Sequence, residues 1–206
     1  MLLFVREFFH HKKQTGSIWP SSPQLARAMT KTLRKPRSPL RILEVGPGTG
    51  PVTKQILGAL RPGDELHIVE INRLFCDQLE RKLLRPFQAR HPSIAVRMHC
   101  APIEEADLDG PFDLIICSLP FNNFPPALVR SIFRQMMELL APGGELVYFE
   151  YVGVRALKSR FVNETGRVRL RQLSATVRVL RRRHSGRREL VLGNFPPAYA
   201  MRLTRR

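Results

Sequence analysis

Hydrophobic and polar positions follow two alternating periods along most of the chain. Short apolar runs predict buried β-strands, and the segments between them carry apolar residues every three or four positions, as on one face of a helix. Strands that alternate with helices in this way are typical of an α/β fold with a mainly parallel sheet and helices on both faces. The predicted strands lie at residues 40–45, 65–70, 94–99, 112–118 and 145–151.

Capping residues and glycines set the expected ends of the helices. Ser22 before Pro23 predicts an N-cap and a first helical position, and Asn72 predicts a second N-cap. The helix after the fourth strand is expected to begin at Pro125-Pro126 and to end at Gly143-Gly144. The first two of these helices are predicted over residues 22–33 and 72–84, and a short basic linker over residues 31–37.

The first residues of the chain predict a separate amphipathic element. Over residues 2–14, most apolar side chains, Phe4 and Phe8 among them, fall on one side of a helical wheel and the basic side chains fall on the other. Such a helix lies in a membrane interface or packs on its own domain, and the sequence leaves both open. We expect N-terminal amphipathic and lid helices over residues 1–37.

The main domain is expected over residues 38–206. Its last part contains two strand-like runs, residues 189–192 and 199–203, joined by a segment rich in glycine and proline. Two such runs predict an antiparallel hairpin added to one edge of the parallel sheet.

Charge narrows the class of partner. The chain carries 34 Lys and Arg against 17 acidic residues, for a net charge of +17, and its basic residues are dense over residues 153–188. Such an excess predicts a polyanionic partner, either nucleic acid or an anionic membrane surface. No apolar stretch is long enough to predict a transmembrane helix. The three cysteines form no paired framework, so we expect a cytoplasmic protein or one attached to a membrane from the cytoplasmic side.

The turn after the first strand carries the most specific chemistry. Gly46, Gly48 and Gly50 alternate along it, which matches neither the dinucleotide-binding fingerprint nor a phosphate-binding Walker loop. Glu44 precedes the glycines and is placed to receive an ammonium group. Glu70 ends the second strand, where a carboxylate can accept both hydroxyls of a ribose. Two carboxylates without a phosphate site suit S-adenosylmethionine (SAM), and no metal is expected.

These five residues resemble a family motif. The sequence is similar to the class I SAM-dependent methyltransferases, whose E/D-x-G-x-G-x-G motif and ribose-binding acid match them in order. The resemblance implies a Rossmann-like fold with a mostly parallel seven-stranded sheet and an antiparallel last strand. It also places Ile71, Ala101 and Pro102 around the cofactor. The family's adenine-binding aspartate is replaced here, so Glu104 or Glu105 is a further candidate for that contact.

The loop after the fourth strand is the candidate acceptor site, because ligands bind beyond the carboxyl ends of strands in open α/β sheets. It reads Ser118-Leu119-Pro120-Phe121-Asn122-Asn123-Phe124-Pro125-Pro126. This segment resembles the N-L-P-Y and D/N-P-P-Y motifs of amino-group methyltransferases, with Ser118 in the place of their Asn or Asp. Ser118 and Leu119 are assigned to the cofactor side. Phe121 is expected to offer an aromatic face to the acceptor.

Two families share these features. The rRNA adenine dimethylases have N-L-P-Y and would explain the positive charge, but they carry a further helical domain. The small bacterial phospholipid N-methyltransferases, which convert phosphatidylethanolamine towards phosphatidylcholine, resemble nearly the whole chain. The segments that carry this second resemblance are residues 13–22, 46–50, 119–125 and 194–198.

We therefore expect an N-methyltransferase that is bound peripherally to the inner face of the cell membrane, with anionic lipids as partners. Tyr151 and Glu150, at the end of the fifth strand, are expected near the acceptor amine, with Tyr151 offering a cation–π contact and Glu150 taking a proton. The resemblance implies that Gln14 and Gly16 close over the cofactor. Alternatives are an rRNA adenine N6-methyltransferase, a methylase of another aminolipid, and a catalytically silent membrane-binding module of the same fold.

Overall fold

A computed structural model of the protein describes residues 21–121, 124–152 and 185–205. The predicted amphipathic helix over residues 2–14, the lid residues Gln14 and Gly16, and most of the basic run lie outside the described residues.

The described strands form one seven-stranded sheet in the order β3-β2-β1-β4-β5-β7-β6. Neighbouring strands from β3 to β5 pair in parallel, and β7 pairs antiparallel with both β5 and β6. The predicted α/β class and the predicted edge hairpin are therefore confirmed. The strands are β1 (Arg41–Val45), β2 (Glu65–Val69), β3 (Ala95–His99), β4 (Phe112–Cys117), β5 (Leu140–Tyr151), β6 (Ser185–Val191) and β7 (Ala198–Thr204).

Helices cover both faces of this sheet. Both predicted N-caps form: the Ser22 hydroxyl accepts from the Leu25 N–H at 3.1 Å and the Asn72 side chain accepts from the Leu74 N–H at 3.0 Å. The described helices are α1 (Pro23–Met29), α2 (Pro51–Leu57), α3 (Arg73–Leu79), α4 (Arg85–Arg90) and α5 (Pro126–Leu139), with a 3₁₀ turn at Lys31–Arg34 and a π turn at Glu80–Leu84.

Two apolar layers hold the helices to the sheet. One layer buries Leu25, Met29 and Val52 of α1 and α2 against one face, and the other buries Ile132 and Phe133 of α5 against the opposite face. The strands between them are apolar on both sides, as expected for a buried parallel sheet. This leaves the ends of the strands as the place where a ligand can enter.

The first helix is shorter than predicted. It ends at Met29 rather than near Leu33, because the Thr30 hydroxyl donates to the Ala26 carbonyl and the chain then tightens into the 3₁₀ turn. The predicted linker over residues 31–37 is firmly attached to the domain. The Arg37 guanidinium makes two hydrogen bonds, of 2.6 and 2.7 Å, to the buried carboxylate of Asp64.

The helix that follows Asn72 is longer than predicted. It was predicted to end at Leu84, and Pro86, just beyond that point, cannot donate the usual backbone hydrogen bond. Instead the Arg85 N–H bonds to the Glu80 carbonyl, five residues back, and the π turn absorbs the missing donor. The helical path therefore continues as α4 to Arg90.

The Gly143-Gly144 pair does not end a helix, contrary to the prediction. Helix α5 stops at Leu139, and the fully buried Leu140 already pairs with Phe112 of β4. The glycines lie in an irregular first part of β5, where the register with β4 shifts. Burial of Leu140 pulls the chain onto the sheet before the glycines are reached.

Candidate active site

The sheet has a natural crevice between β1 and β4. The chain runs outward from β1 to β2 and β3 and then returns to place β4 on the other side of β1. Ligands bind at such a switch point, beyond the carboxyl ends of the strands. The loops that follow β1 and β4 are joined there by a hydrogen bond of 2.8 Å from the Ser118 N–H to the Val45 carbonyl.

The three glycines after β1 have different surroundings. All have positive φ, but a Cβ at Gly46 would lie 2.2 Å from Leu119 Cδ2 and a Cβ at Gly50 would lie 2.6 Å from Leu79 Cδ2. A Cβ at Gly48 would meet nothing within 4 Å. Packing therefore accounts for two of the glycines, while Gly48 exposes bare backbone to open space in the cleft.

Glu70 lies directly after β2 and faces this loop. One carboxylate oxygen accepts from the Gly48 N–H at 3.0 Å and the other accepts from the Asn72 N–H at 2.9 Å. Burial raises the pKa of Glu70, and these backbone hydrogen bonds oppose that rise. Each oxygen keeps a lone pair for a further donor, as two neighbouring hydroxyls would require.

Glu44, in β1, is fully buried. Neither of its oxygens makes a hydrogen bond of good geometry to any residue that the structure describes. Burial raises the pKa of Glu44 to about 8, the charge of Glu70 adds to the rise, and the nearby Thr53 hydroxyl opposes it. A buried carboxyl without a partner is costly unless a ligand supplies one. The Ser118 hydroxyl oxygen is likewise buried and has no hydrogen-bond partner within the described ranges.

The cleft has two arms that meet at Gly46, Glu70 and Leu119. The first arm, about 720 Å³ with its open mouth, runs along the glycine loop towards β5. The second arm, about 400 Å³, runs towards β3 and has apolar walls. Glu104 lines the second arm, together with the predicted residues Ile71, Ala101 and Pro102.

The predicted acceptor residues separate in the structure. Tyr151 lines the first arm with Ser118 and Leu119. Phe121 lines neither arm, because it packs in the core with its ring centroid 4.7 Å from that of Phe133. Glu150 lines neither arm, and the Tyr148 hydroxyl, on the face opposite Tyr151, donates to its carboxylate at 3.3 Å.

Sequence reasoning missed several residues of the first arm. Phe75 and Phe149 add two aromatic side chains to its lining, with the ring centroid of Phe149 5.1 Å from that of Tyr151, and Ser21 and Val52 also line the arm. Phe149 was within reach of prediction, since it lies two positions before Tyr151 on the same face of a strand. Phe75 carries no local signal, because only the packing of α3 turns it towards the loop.

Comparison with known protein families identifies the family to which the chain belongs. The model of a family described as "Methyltransferase domain" matches residues 42–144, which span β1 through the start of β5 and include the glycine loop. The chain belongs to the methyltransferase family. Its cofactor is S-adenosylmethionine, and its resemblance to the class I enzymes is confirmed.

Individual relatives of this methyltransferase agree on the fold and differ in acceptor. An ornithine lipid N-methyltransferase of Singulisphaera acidiphila is 28% identical over 142 residues, which cover 69% of this chain and 73% of that protein. A ribosomal RNA small subunit methyltransferase A of Synechococcus sp. is 29% identical over 126 residues, covering 59% and 41%. The crystal structure of the O-methyltransferase TomG from Streptomyces achromogenes with SAM superposes with a TM-score of 0.61 at 15% identity, covering 89% and 79%.

The polar groups of the crevice suit SAM. The cofactor brings a cationic amine, two ribose hydroxyls and a flat base. The crevice offers a fixed carboxylate at Glu70 and an apolar second arm, and the buried unpartnered carboxyl of Glu44 lies in β1, two residues before the glycine loop, without lining either arm. The open space above Gly48 leaves room for a ligand against the backbone. The methyltransferase therefore has groups suited to each part of its cofactor.

Proposed function

We propose that this methyltransferase transfers methyl groups from SAM to the amine of a phospholipid headgroup, taking phosphatidylethanolamine towards phosphatidylcholine at a membrane surface. The observation that carries the proposal is the aromatic lining of the first arm, to which Phe75, Phe149 and Tyr151 contribute. The similarity to an ornithine lipid N-methyltransferase over 69% of the chain supports an aminolipid acceptor.

The cofactor is assigned to the crevice as follows. Glu44 holds the amine of SAM, and Glu70 holds the ribose hydroxyls while the bare backbone at Gly48 lies against the ligand. The second arm, with Ile71 and Ala101-Pro102, takes the adenine. Glu104 replaces the missing aspartate, since Glu104 lines that arm and Glu105 does not. The roles of Gln14 and Gly16 as a lid remain predictions outside the described residues.

The acceptor amine is assigned to the first arm, beside Tyr151. Aromatic faces attract ammonium groups, and this attraction is retained when methyl groups replace protons on nitrogen. Burial raises the pKa of Tyr151, so its phenol stays neutral and cannot compete as a charged nucleophile. Ser118, whose hydroxyl has no partner among the described residues, is available to accept a hydrogen bond from the amine.

The cleft also prepares the amine chemically. When bound, SAM supplies a methyl group on a cationic sulfur, which only a neutral amine can attack. An alkylammonium ordinarily has a pKa near 10, and aliphatic side chains of the first arm, Val52 and Leu119 among them, lower that pKa by removing water. The proton leaves to solvent through the open mouth. Glu150 is not needed for this step, because it does not line the cleft.

A second candidate function is methylation of adenine in rRNA. The net charge of +17 and the 29% identical rRNA methyltransferase of Synechococcus favour it. Two observations weigh against it. The chain aligns with only 41% of that relative, and Phe121, in the motif position of the aromatic residue, is buried against Phe133 rather than presented to a flat base.

The membrane assignment of residues 1–37 remains a prediction of amphipathic and lid helices. Within the described ranges, no helix is long and apolar enough to cross a bilayer. We propose peripheral attachment to the inner face of the cell membrane through anionic lipids, with the +17 net charge as its support.

Mass spectrometry of lipids tests the proposal in cells. A bacterial host rich in phosphatidylethanolamine and lacking phosphatidylcholine is given the wild-type chain or the Gly48→Arg variant. The proposal predicts mono-, di- or trimethylated phosphatidylethanolamine only with the wild-type chain. In a host that also makes ornithine lipid, methylation of that lipid alone would move the acceptor to the other aminolipid. Unmethylated lipids in both hosts, with newly methylated rRNA, would contradict the proposal.

A further inference from the structure

In the part of the chain that the structure describes, the exposed large hydrophobic side chains lie at one edge of the sheet. Among the described residues, the large hydrophobic side chains that remain exposed are Leu74, Val152, Leu190, Leu192 and Phe195, which we call the rim. Leu192 and Phe195 are the most exposed, at 73% each. Single exposed apolar residues are ordinary on a protein surface, but their concentration in one region marks an interaction surface.

The topology places all five rim residues at the carboxyl edge of the sheet. Leu74 lies in the first turn of α3, just beyond β2, and Val152 directly follows β5. Strand β6 runs in the same direction as β5, because both are antiparallel to β7. Leu190 and Leu192 therefore lie at the same edge, and Phe195 lies in the turn that follows them.

Two hydrogen bonds connect the turn between β6 and β7 to the mouth of the cleft. The buried Asn194 side chain accepts from the Ser22 N–H at 2.9 Å, next to the cleft residue Ser21. The Val152 N–H donates to the Pro197 carbonyl at 2.7 Å, next to the cleft residue Tyr151. The rim is thus held in a fixed position beside the site where the acceptor enters.

The rim extends across both sides of the cleft. Leu74 follows β2, the second strand in the order of the sheet, and Leu192 follows β6, the seventh. Five strand spacings of about 4.8 Å therefore place them roughly 24 Å apart. Apolar side chains this far apart, with Leu74 on one side of the cleft and the other four on the opposite side, match a broad flat surface better than a single peptide or a small ligand.

The charges near the rim indicate what kind of partner surface it contacts. Arg73 is 79% exposed beside Leu74 and forms an exposed ion pair with Asp77 at 3.3 Å, and Arg187 and Arg188 are exposed on β6 near Leu190. Together with the net charge of +17, they favour an anionic partner. RNA would satisfy the cations but would gain little from aliphatic side chains, whereas an anionic bilayer satisfies both.

We propose that the rim docks the carboxyl edge of the sheet onto an anionic lipid bilayer, with Leu192 and Phe195 inserted, so that the cleft opens directly onto the headgroups. The lipid identity of the partner rests on the proposed function. The docking does not depend on which lipid is methylated. It assigns the turn between β6 and β7 as an interfacial anchor, independent of the predicted helix over residues 2–14.

The first test compares Leu192→Ser/Phe195→Ser with wild type and with Leu60→Ser, a half-buried leucine at the opposite edge. Co-sedimentation uses vesicles of phosphatidylglycerol and phosphatidylethanolamine. The double variant is expected to lose at least about tenfold in vesicle binding and in methylation of vesicle lipid. Its melting temperature, S-adenosylhomocysteine binding and methylation of dispersed dihexanoyl phosphatidylethanolamine should stay at the wild-type level. Leu60→Ser should bind vesicles normally.

The second test places a reporter at the rim. In a Trp19→Phe background, Phe195→Trp is expected to emit as a solvent-exposed indole, to shift to the blue with vesicles and to be quenched by brominated lipid chains. Unchanged emission with vesicles, or undiminished vesicle binding by the double variant, would overturn the docking proposal. Emission already blue without vesicles, with a lowered melting temperature of the double variant, would show that the chain itself covers the rim and would overturn it equally.

The two proposals fail separately. If the wild-type protein methylates no lipid but its vesicle binding depends on Leu192 and Phe195, docking stands and the proposed function is wrong. If lipid is methylated in vesicles equally by the wild type and the double variant, the function stands and the docking is wrong. Loss of rRNA binding rather than vesicle binding in the double variant also contradicts docking.

Discussion

The proposed cofactor side and the proposed acceptor side of the cleft are built in different ways. The walls that receive the cofactor come from short segments at the ends of adjacent strands, with Glu44 and Gly48 close in sequence and Glu70 fixed by backbone N–H groups. The acceptor wall gathers Phe75, Phe149 and Tyr151 from α3 and β5. The cofactor side therefore depends on backbone geometry and buried charge, whereas the acceptor side depends on side-chain packing. Substitutions on the two sides should have separable effects.

The largest effect is expected at Gly48. Replacement by arginine fills the open space above the loop, so binding of S-adenosylhomocysteine should weaken by more than about 100-fold in titration calorimetry. Gly143→Arg is a matched control, because Gly143 also has positive φ, at 76°, and open space around its Cβ, but lies in the first, irregular part of β5, before the strand reaches Tyr151. Equal loss of binding in both variants would point to backbone strain rather than to the cleft.

Glu70→Ala should have the next largest effect. Hydrogen bonds to a charged group contribute about 1.5–3 kcal/mol, so loss of the ribose contacts should weaken cofactor binding by roughly 10- to 100-fold. Glu105→Ala serves as the control, because Glu105 is near the second arm without lining it. Unchanged binding in Glu70→Ala would remove the ribose assignment.

The pKa of Glu44 makes cofactor binding depend on pH. With a pKa of about 8, the carboxyl is mostly protonated at pH 7 in the free protein, and the cofactor's ammonium should drive out that proton. Affinity should then rise as the pH is raised from 6 towards 8, by at most about tenfold per pH unit. Calorimetry in two buffers of different ionisation enthalpy measures the released proton, and Glu44→Gln should abolish both effects.

The raised pKa of Glu44 has the opposite effect on the stability of the protein without cofactor, which falls as the pH rises. The raised pKa means that the folded state binds this proton more tightly than the unfolded state does. The contribution of Glu44 is therefore fully present below pH 4.5 and is lost as the pH rises towards 8. Relative to Glu44→Gln, the unfolding free energy of the wild type should fall across that window, as urea titrations at several pH values would detect.

The smallest effects should separate two neighbours on β5. Tyr151→Ala should lower kcat/KM for the lipid amine by about tenfold, since a cation–π contact contributes about 0.5–2 kcal/mol, and should leave cofactor binding unchanged. Tyr151→Phe should retain most of the activity. Glu150→Gln should change kcat/KM by less than about threefold. A larger loss at Glu150 than at Tyr151 would restore Glu150 as the proton acceptor and contradict the assignment by strand face.

The fold was predictable because its signals are local and strong. The buried strands carry continuous apolar runs, and Ser22 and Asn72 cap their helices within one turn. The errors arose where a distant contact decides. The π turn before Pro86 and the burial of Leu140 ahead of Gly143-Gly144 depend on packing that no short window of sequence contains.

The site was predictable to the same extent. Gly46, Gly48 and Glu70 line the cleft, because strand ends fix their position, whereas Gly50 packs against Leu79 and Glu44 is buried within β1. On the acceptor side, the motif position of Phe121 suggested contact with substrate, but the ring is buried against Phe133. Side chains alternate between the two faces of β5, so Tyr151 lines the cleft and Glu150 lines neither arm. The two residues are adjacent in sequence, and the prediction therefore placed both near the acceptor.

The most direct test is a transfer reaction with purified protein and SAM labelled in its methyl group. Phosphatidylethanolamine vesicles, ornithine-lipid vesicles and purified rRNA are offered together, and the label is counted in the lipid extract and in the RNA. Label in phosphatidylethanolamine, absent with Gly48→Arg, is the predicted result. Label in the RNA alone would contradict the account.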